Sequence, residues 1–194
     1  MCHSRAYIDR VRAEVEAGRP TLSTGDTDLS PRSLDAALAA AGGTLRAVDA
    51  VLAGRIRNAF CAVRPPGHHA TATRGMGFCI FNNAALAARR ALRHPDVRRV
   101  LIVDWDVHHG NGPQEMFHAD PDVCYFSTHQ WPSFPGTGRA DETGGGPAAG
   151  TMINCPFAMG ADGSDIVAAF RERLLPAVRR WKPDFVVVSA GFDG

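Results

Sequence analysis

The chain has 194 residues, a net charge of +1, 45% hydrophobic and 21% charged residues. That length and balance suit one globular domain with a real core, not a disordered tail. A near-neutral charge argues against nucleic acid or an anionic membrane as the main partner, and no apolar run reaches the roughly 20 residues of a membrane span.

In chain order, the segment before residue 5 lacks a signal-peptide core. Residues 20–32 are rich in turn formers and predict a loop. Ser30 followed by Pro31 predicts an N-cap with proline at the first helical position. An Ala/Leu-rich helix follows over 32–53, ending near Gly54. Ala59–Val63 is an apolar run predicted as a strand. Helices are predicted for Asn82–Leu92, Asn111–His118 and Asp165–Trp181. Strands are predicted for Val100–Asp104, Val123–Ser127, Thr151–Cys155 and Phe185–Ala190. A Gly/Pro-rich loop spans 129–150. Strands alternating with helices predict an α/β fold, a parallel sheet built from βαβ units. No repeat and no linker interrupt it, so the whole chain reads as a single domain. Five cysteines without a CxxC pair argue against a disulfide framework and fit a reducing cytoplasm. Cys61, Cys124 and Cys155 lie in apolar runs and are expected to be buried.

The polar residues collect where strands end: Arg64 to His69, Asp104 to His109, Ser127 to His129 and Ser189 to Asp193. Ligands of open α/β sheets bind beyond the carboxyl ends of strands. Period-2 geometry would place Asp104, Asp106 and His108 on one face. Asp106 and His108 are candidate ligands of a divalent metal, with Asp193 the best third. Asp104, the innermost acid, needs a partner: a histidine whose tautomer it fixes, or a monovalent cation. Adjacent His68 and His69, in a loop stiffened by Pro65, Pro66 and Gly67, suit proton transfer. A structural role for the pair is the competing reading. Trp131 and Phe134 are candidates for substrate contact and Trp105 for packing. His129 lines the mouth of the site or simply serves its loop. The arginines at 89–99 read as a solvated helix end.

Five motifs, in order, carry a resemblance: Pro65-Pro66-Gly67-His68-His69-Ala70; Gly75-Met76-Gly77-Phe78-Cys79-Ile80-Phe81-Asn82-Asn83; Asp104-Trp105-Asp106-Val107-His108-His109-Gly110-Asn111-Gly112; Phe134-Pro135-Gly136-Thr137-Gly138; and Ser189-Ala190-Gly191-Phe192-Asp193. The chain resembles the zinc-dependent histone deacetylase superfamily, especially its class II-like and bacterial amidohydrolase branch. The resemblance implies an arginase/deacetylase-like open parallel sheet with helices on both faces. It implies Zn²⁺ (Fe²⁺ as the alternative) held by Asp106, His108 and Asp193. His68 and His69 would flank the catalytic water, with His69 as general base and acid. Asp104 would pair with His68, and Asn111 would orient His69. Gly77, Phe78 and Phe134 would bind the acyl arm. Asp104, Asp106, His108 and Ser127 would hold a structural K⁺, and a second K⁺ would lie near Phe117, Asp120 and Val123.

The implied activity is hydrolysis of the amide of an N-acetylated amine: acetyl-lysine, acetylpolyamine or similar. The implied partners are that small substrate and another copy of the chain, with no nucleic acid and no membrane. The family's catalytic domain is longer, and its carbonyl-polarising tyrosine has no counterpart, because only Tyr7 and Tyr125 are present. Residues 1–194 therefore read as a truncated catalytic domain, incomplete for catalysis and left with an unpaired sheet edge. Two rival readings are a non-catalytic module that binds acylated ligands and a binuclear manganese ureohydrolase. The second rival lacks its bridging carboxylates here.

Overall fold

The computed structural model describes residues 2–193. The chain divides into two compact units, Met1–His94 and Pro95–Gly194, and no run of turn formers marks the boundary between them.

The first unit is helical: α1 (Arg5–Glu16), α2 (Ser33–Leu52) and α3 (Asn83–Ala91). The motif-led reading does not anticipate α1. Its signal is Tyr7, Val11 and Val15 at helical spacing, all buried, behind a Ser4 cap that accepts the Tyr7 amide at 3.1 Å. α2 begins later than the Ser30–Pro31 pair predicts. Arg32 occupies the N-cap without a side-chain bond, and Ser33 Oγ instead accepts the Ser30 amide at 2.8 Å. Tyr7, Val11, Leu22, Ala37, Ile80 and Phe81 form this unit's core.

Ala59–Val63 is not a strand. No described strand pairs with it, its residues are exposed or half-exposed, and Phe60 is 79% exposed. Cys61 is accordingly only half-buried, whereas Cys124 and Cys155 are buried as expected.

The second unit is a parallel sheet of β1 (Val100–Asp104), β2 (Val123–Gln130), β3 (Met152–Phe157) and β4 (Phe185–Ser189), ordered β3-β2-β1-β4. Helix α4 (Asn111–Phe117) links β1 to β2. Helices α5 (Gly163–Ala169) and α6 (Leu175–Trp181) link β3 to β4, joined by a π-helical turn at Phe170–Leu174. That turn splits the single helix predicted over 165–181. Pro176 lacks an amide hydrogen and cannot continue the α-helical ladder back into the preceding turn. Leu101, Val103, Cys124, Phe126 and Cys155 pack on one sheet face with Ala169, Leu174 and Trp181.

β2 runs three residues past the predicted Ser127, because Thr128, His129 and Gln130 pair with Cys155, Pro156 and Phe157. The edges of the described sheet are β3 and β4. On β4, Val186 and Val188 alternate outward at 51% and 44% exposure. Among the described residues, no helix is long and apolar enough to cross a membrane.

Candidate metal centre and tandem histidines

The register β1/β4 pairs Asp104 with Ser189, so the segments leaving these two strands start side by side. Trp105 N–H adds one more rung to Ser189 O at 3.2 Å. The strand itself stops at Asp104, so pleat alternation does not carry Asp106 and His108 onto its face. Two successive turns do the placing: the Asp106 amide donates to Asp104 Oδ1 at 3.3 Å, and the His108 amide to Asp106 Oδ1 at 2.7 Å. His108 Nδ1 then lies 3.1 Å from Asp106 Oδ1 and 3.3 Å from Asp193 Oδ2.

One donor atom from each of Asp106, His108 and Asp193 falls within 4.8 Å of the others. Two carboxylates and an imidazole nitrogen are a donor set that suits Zn²⁺ or another divalent ion. The backbone is shaped for it at Gly191, where any Cβ would overlap the Asp106 carboxylate. The side chains of Asp106, His108 and Asp193 are 13%, 33% and 55% exposed, so the cluster opens outward on the Asp193 side.

Asp104 is fully buried and accepts Tyr125 Oη–H at 3.1 Å. Burial, and next the Asp104 charge, push the Tyr125 hydroxyl pKa well up, so it stays protonated as the donor. Ser127 pairs in register with Asp104 and is also fully buried. His129 is 2% exposed, not at the mouth of the site. Its ring lies between Ser127 Oγ at 2.9 Å and Gly138 O at 2.8 Å. Phe134 stands edge-on to the His108 ring, with centroids 6.2 Å apart. Trp105 is 39% exposed and meets Phe192 rather than packing inside.

Behind this cluster lies a polar network that sequence reasoning missed. His109 is 1% exposed, with Nδ1 2.8 Å from Thr137 Oγ1 and Nε2 3.1 Å from Gln114 Oε1. Gln114 Nε2 donates to Glu142 Oε2, which also accepts the Gly138 amide at 3.0 Å. Asn154 Nδ2 donates to Gln114 Oε1 at 2.7 Å and to Glu142 O at 3.0 Å. Burial first, then the neighbouring His129, push the His109 pKa down to about 4, and burial lowers that of His129. Burial alone would raise the Glu142 pKa. The amides of Gly138 and Arg139 and the Gln114 side chain outweigh it, and the carboxyl sits below its usual range. A doubled histidine and a Glu within the glycine-rich loop are the only traces of this network in the sequence.

In the first unit, His68 and His69 are 8% and 4% exposed, with ring centroids 4.0 Å apart. They follow no strand. Their loop is held from behind by buried groups. Asn82 Nδ2 donates to Ala70 O at 2.8 Å, while Asn82 Oδ1 caps α3 through the Ala85 amide at 2.9 Å. His3 Nδ1–H donates to Thr71 O at 2.9 Å, and its Nε2 accepts the Asn82 amide at 2.9 Å. Cys79 Sγ receives the His69 amide at 3.4 Å. Gly67 has no room for a side chain: a Cβ would stand 2.6 Å from the Asn83 nitrogen. Nothing in the sequence marks His3, yet burial pushes its pKa down to about 4 and keeps it a neutral structural bridge.

Phe78 is 65% exposed at φ +62°, following Gly77 at φ +54°. Asp26 Oδ1 accepts the Gly77 amide at 2.7 Å and supports this left-handed pair. Asn111 opens α4, its amide donating to His109 O at 3.0 Å. Near the second expected K⁺ site, the Asp120 amide donates to Phe117 O at 3.0 Å, and Asp120 Oδ1 accepts the Asp122 amide at 3.0 Å.

The chain is 42% identical over its whole length to the solved HDA15 HD domain, with a TM-score of 0.94, covering 55% of that chain. The arrangement is thus the arginase/deacetylase-like fold. It is 41% identical to Histone deacetylase 10, chloroplastic, of Oryza sativa subsp. japonica, covering all of this chain and 46% of the relative. It is 42% identical to human Polyamine deacetylase HDAC10, covering all of this chain and 30% of the relative. The chain thus spans about half the length of these proteins or less. The sequence profile of the histone deacetylase domain matches residues 1–194, and the chain belongs to the histone deacetylase family.

Proposed function

We propose that this chain carries the metal centre of a zinc-dependent deacetylase that cleaves the amide of an N-acetylated amine. The observation that carries the reading is the cluster of Asp106, His108 and Asp193 donors within 4.8 Å. When bound there, Zn²⁺ (Fe²⁺ as the alternative) supplies Lewis acidity to the amide carbonyl and to the attacking water. His69 takes a proton from that water and later delivers one to the departing amine, so that a C–O bond replaces the C–N bond and acetate and amine leave. By the family resemblance, Asp104 would pair with His68 and Asn111 would orient His69, keeping the two imidazoles in working tautomers. By the same resemblance, Gly77, Phe78 and Phe134 would bind the acyl arm. Asp104, Asp106, His108 and Ser127 would hold a structural K⁺, and a second K⁺ would lie near Phe117, Asp120 and Val123, as the resemblance implies.

The substrate classes are acetyl-lysine peptides and acetylpolyamines, in keeping with relatives named as histone and polyamine deacetylases. We place the protein in the cytoplasm. A second reading is ligand binding without turnover; within these residues Tyr7 donates to Ile80 O and Tyr125 to Asp104, and both are buried. Metal-loaded protein assayed on acetyl-lysine peptides and acetylspermidine decides between them. Acetate release that stops on chelation supports the deacetylase. Tight binding without release on every substrate supports the module.

A further inference from the structure

The polar network behind His108 closes on itself. Thr137 Oγ1 meets His109 Nδ1, His109 Nε2 meets Gln114 Oε1, Gln114 Nε2 meets Glu142 Oε2, and Glu142 Oε2 returns to the amide of Gly138, next to Thr137. The polarity of the ring is fixed by its chemistry. A carboxylate only accepts, so it turns the Gln114 carboxamide with NH₂ inward and oxygen outward. That oxygen takes the His109 Nε2–H, which leaves Nδ1 to accept the Thr137 hydroxyl. Asn154, buried on β3, ties the same Gln114 oxygen to the sheet. Gly138 has φ +95°, and a Cβ there would stand 2.5 Å from the His109 and His129 rings, so the loop is pressed against them.

We propose that Glu142 and Gln114 are positioning residues for substrate: they clamp the 134–142 loop to α4 and β3 and so hold Phe134 against the metal ligand His108. Phe134 is 39% exposed, stands edge-on to His108 and lies three residues before Thr137, where the ring takes hold of the loop. A wall that contacts the arm of the substrate and not its reacting atoms contributes equally to ground and transition states. Its loss raises KM and spares kcat. This inference rests on the deacetylase reading above, and its test has one arm that does not.

The first arm is kinetic, on the full protein. Glu142→Ala is expected to raise KM for an acetylated amine about tenfold with kcat within about threefold, and Glu142→Gln, whose oxygen still accepts both donors, to restore KM. Gln114→Leu, which keeps the charge and removes the ring's link, is expected to match Glu142→Ala. The second arm is ¹⁹F NMR of protein labelled with 4-fluorophenylalanine, the Phe134 signal assigned by Phe134→Leu. That signal is expected to sharpen in Glu142→Ala and Gln114→Leu and stay as in wild type in Glu142→Gln. An unchanged Phe134 signal in both clamp variants overturns the proposal. So does a KM that does not move, or a loss confined to kcat. If no substrate is turned over by wild type, the deacetylase reading fails, and the NMR arm alone still decides whether the clamp exists.

Discussion

The two histidine-bearing segments of this chain are placed by opposite means. His108 leaves a central strand whose register with β2 and β4 is set by five consecutive pairs on each side, and two short turns carry it to Asp193. His68 and His69 leave no strand at all. Their loop is stationed by His3, Asn82 and Cys79, residues 10 to 68 positions away from the groups they hold. A strand end inherits its position from the many cooperative bonds of a sheet. A loop inherits it from a few buried side-chain bonds, each costing about 1–3 kcal/mol to leave unmade. The loop site is therefore expected to be the more fragile of the two.

The sharpest difference is expected from chemistry at the loop itself. In the full protein, His69→Ala should lower the deacetylation rate about 10²–10⁴-fold with the metal retained. A loss below tenfold would remove His69 as the proton carrier. Next comes the pH response of the loop's support. His3 has its folded pKa lowered to about 4 from 6.5, so the folded state binds fewer protons than the unfolded state between those values. Its contribution is full above pH 6.5 and is lost as pH falls towards 4, up to roughly 3 kcal/mol. His3→Gln should flatten that acid limb in denaturant titrations at pH 4 to 7. An unchanged pH slope would show that His3 is not the group responsible.

On the strand-end site, Gly191→Ala places a Cβ in the Asp106 carboxylate and should weaken metal binding about 10–100-fold, with thermal stability changed less than in the loop variants. Equal metal affinity in this variant would mean that the Asp106 side chain has another productive position. The smallest effect is Asn82→Ala, which removes the α3 cap and the bond to Ala70 together for about 2 kcal/mol. Stability within about 0.5 kcal/mol of wild type would place the loop's support elsewhere.

The sheet was legible because its signal is local. Val100–Asp104 and Phe185–Ser189 are unbroken apolar runs followed by acids, and a parallel sheet puts such ends together. Asp106, His108 and Asp193 followed from that one rule, although the turns that finish the placement replaced the pleat expected to do so. Ala59–Val63 has the same local signal and forms no strand, because a strand is a property of two segments and none of the described strands pairs with it. The His109–Gln114–Glu142 ring and the His3 bridge were illegible for the same reason in reverse. Their members are scattered polar residues whose partners are set only by tertiary packing, which no local pattern reports.

The central claim is that Asp106, His108 and Asp193 together hold one divalent metal ion. Zinc titration with elemental analysis of the purified protein tests it most directly, comparing wild type with Asp106→Ala/His108→Ala. One zinc per chain in wild type, lost in the double variant while its far-UV circular dichroism is kept, is the predicted result. Two metal ions per chain, or an undiminished zinc content in the double variant, would contradict it.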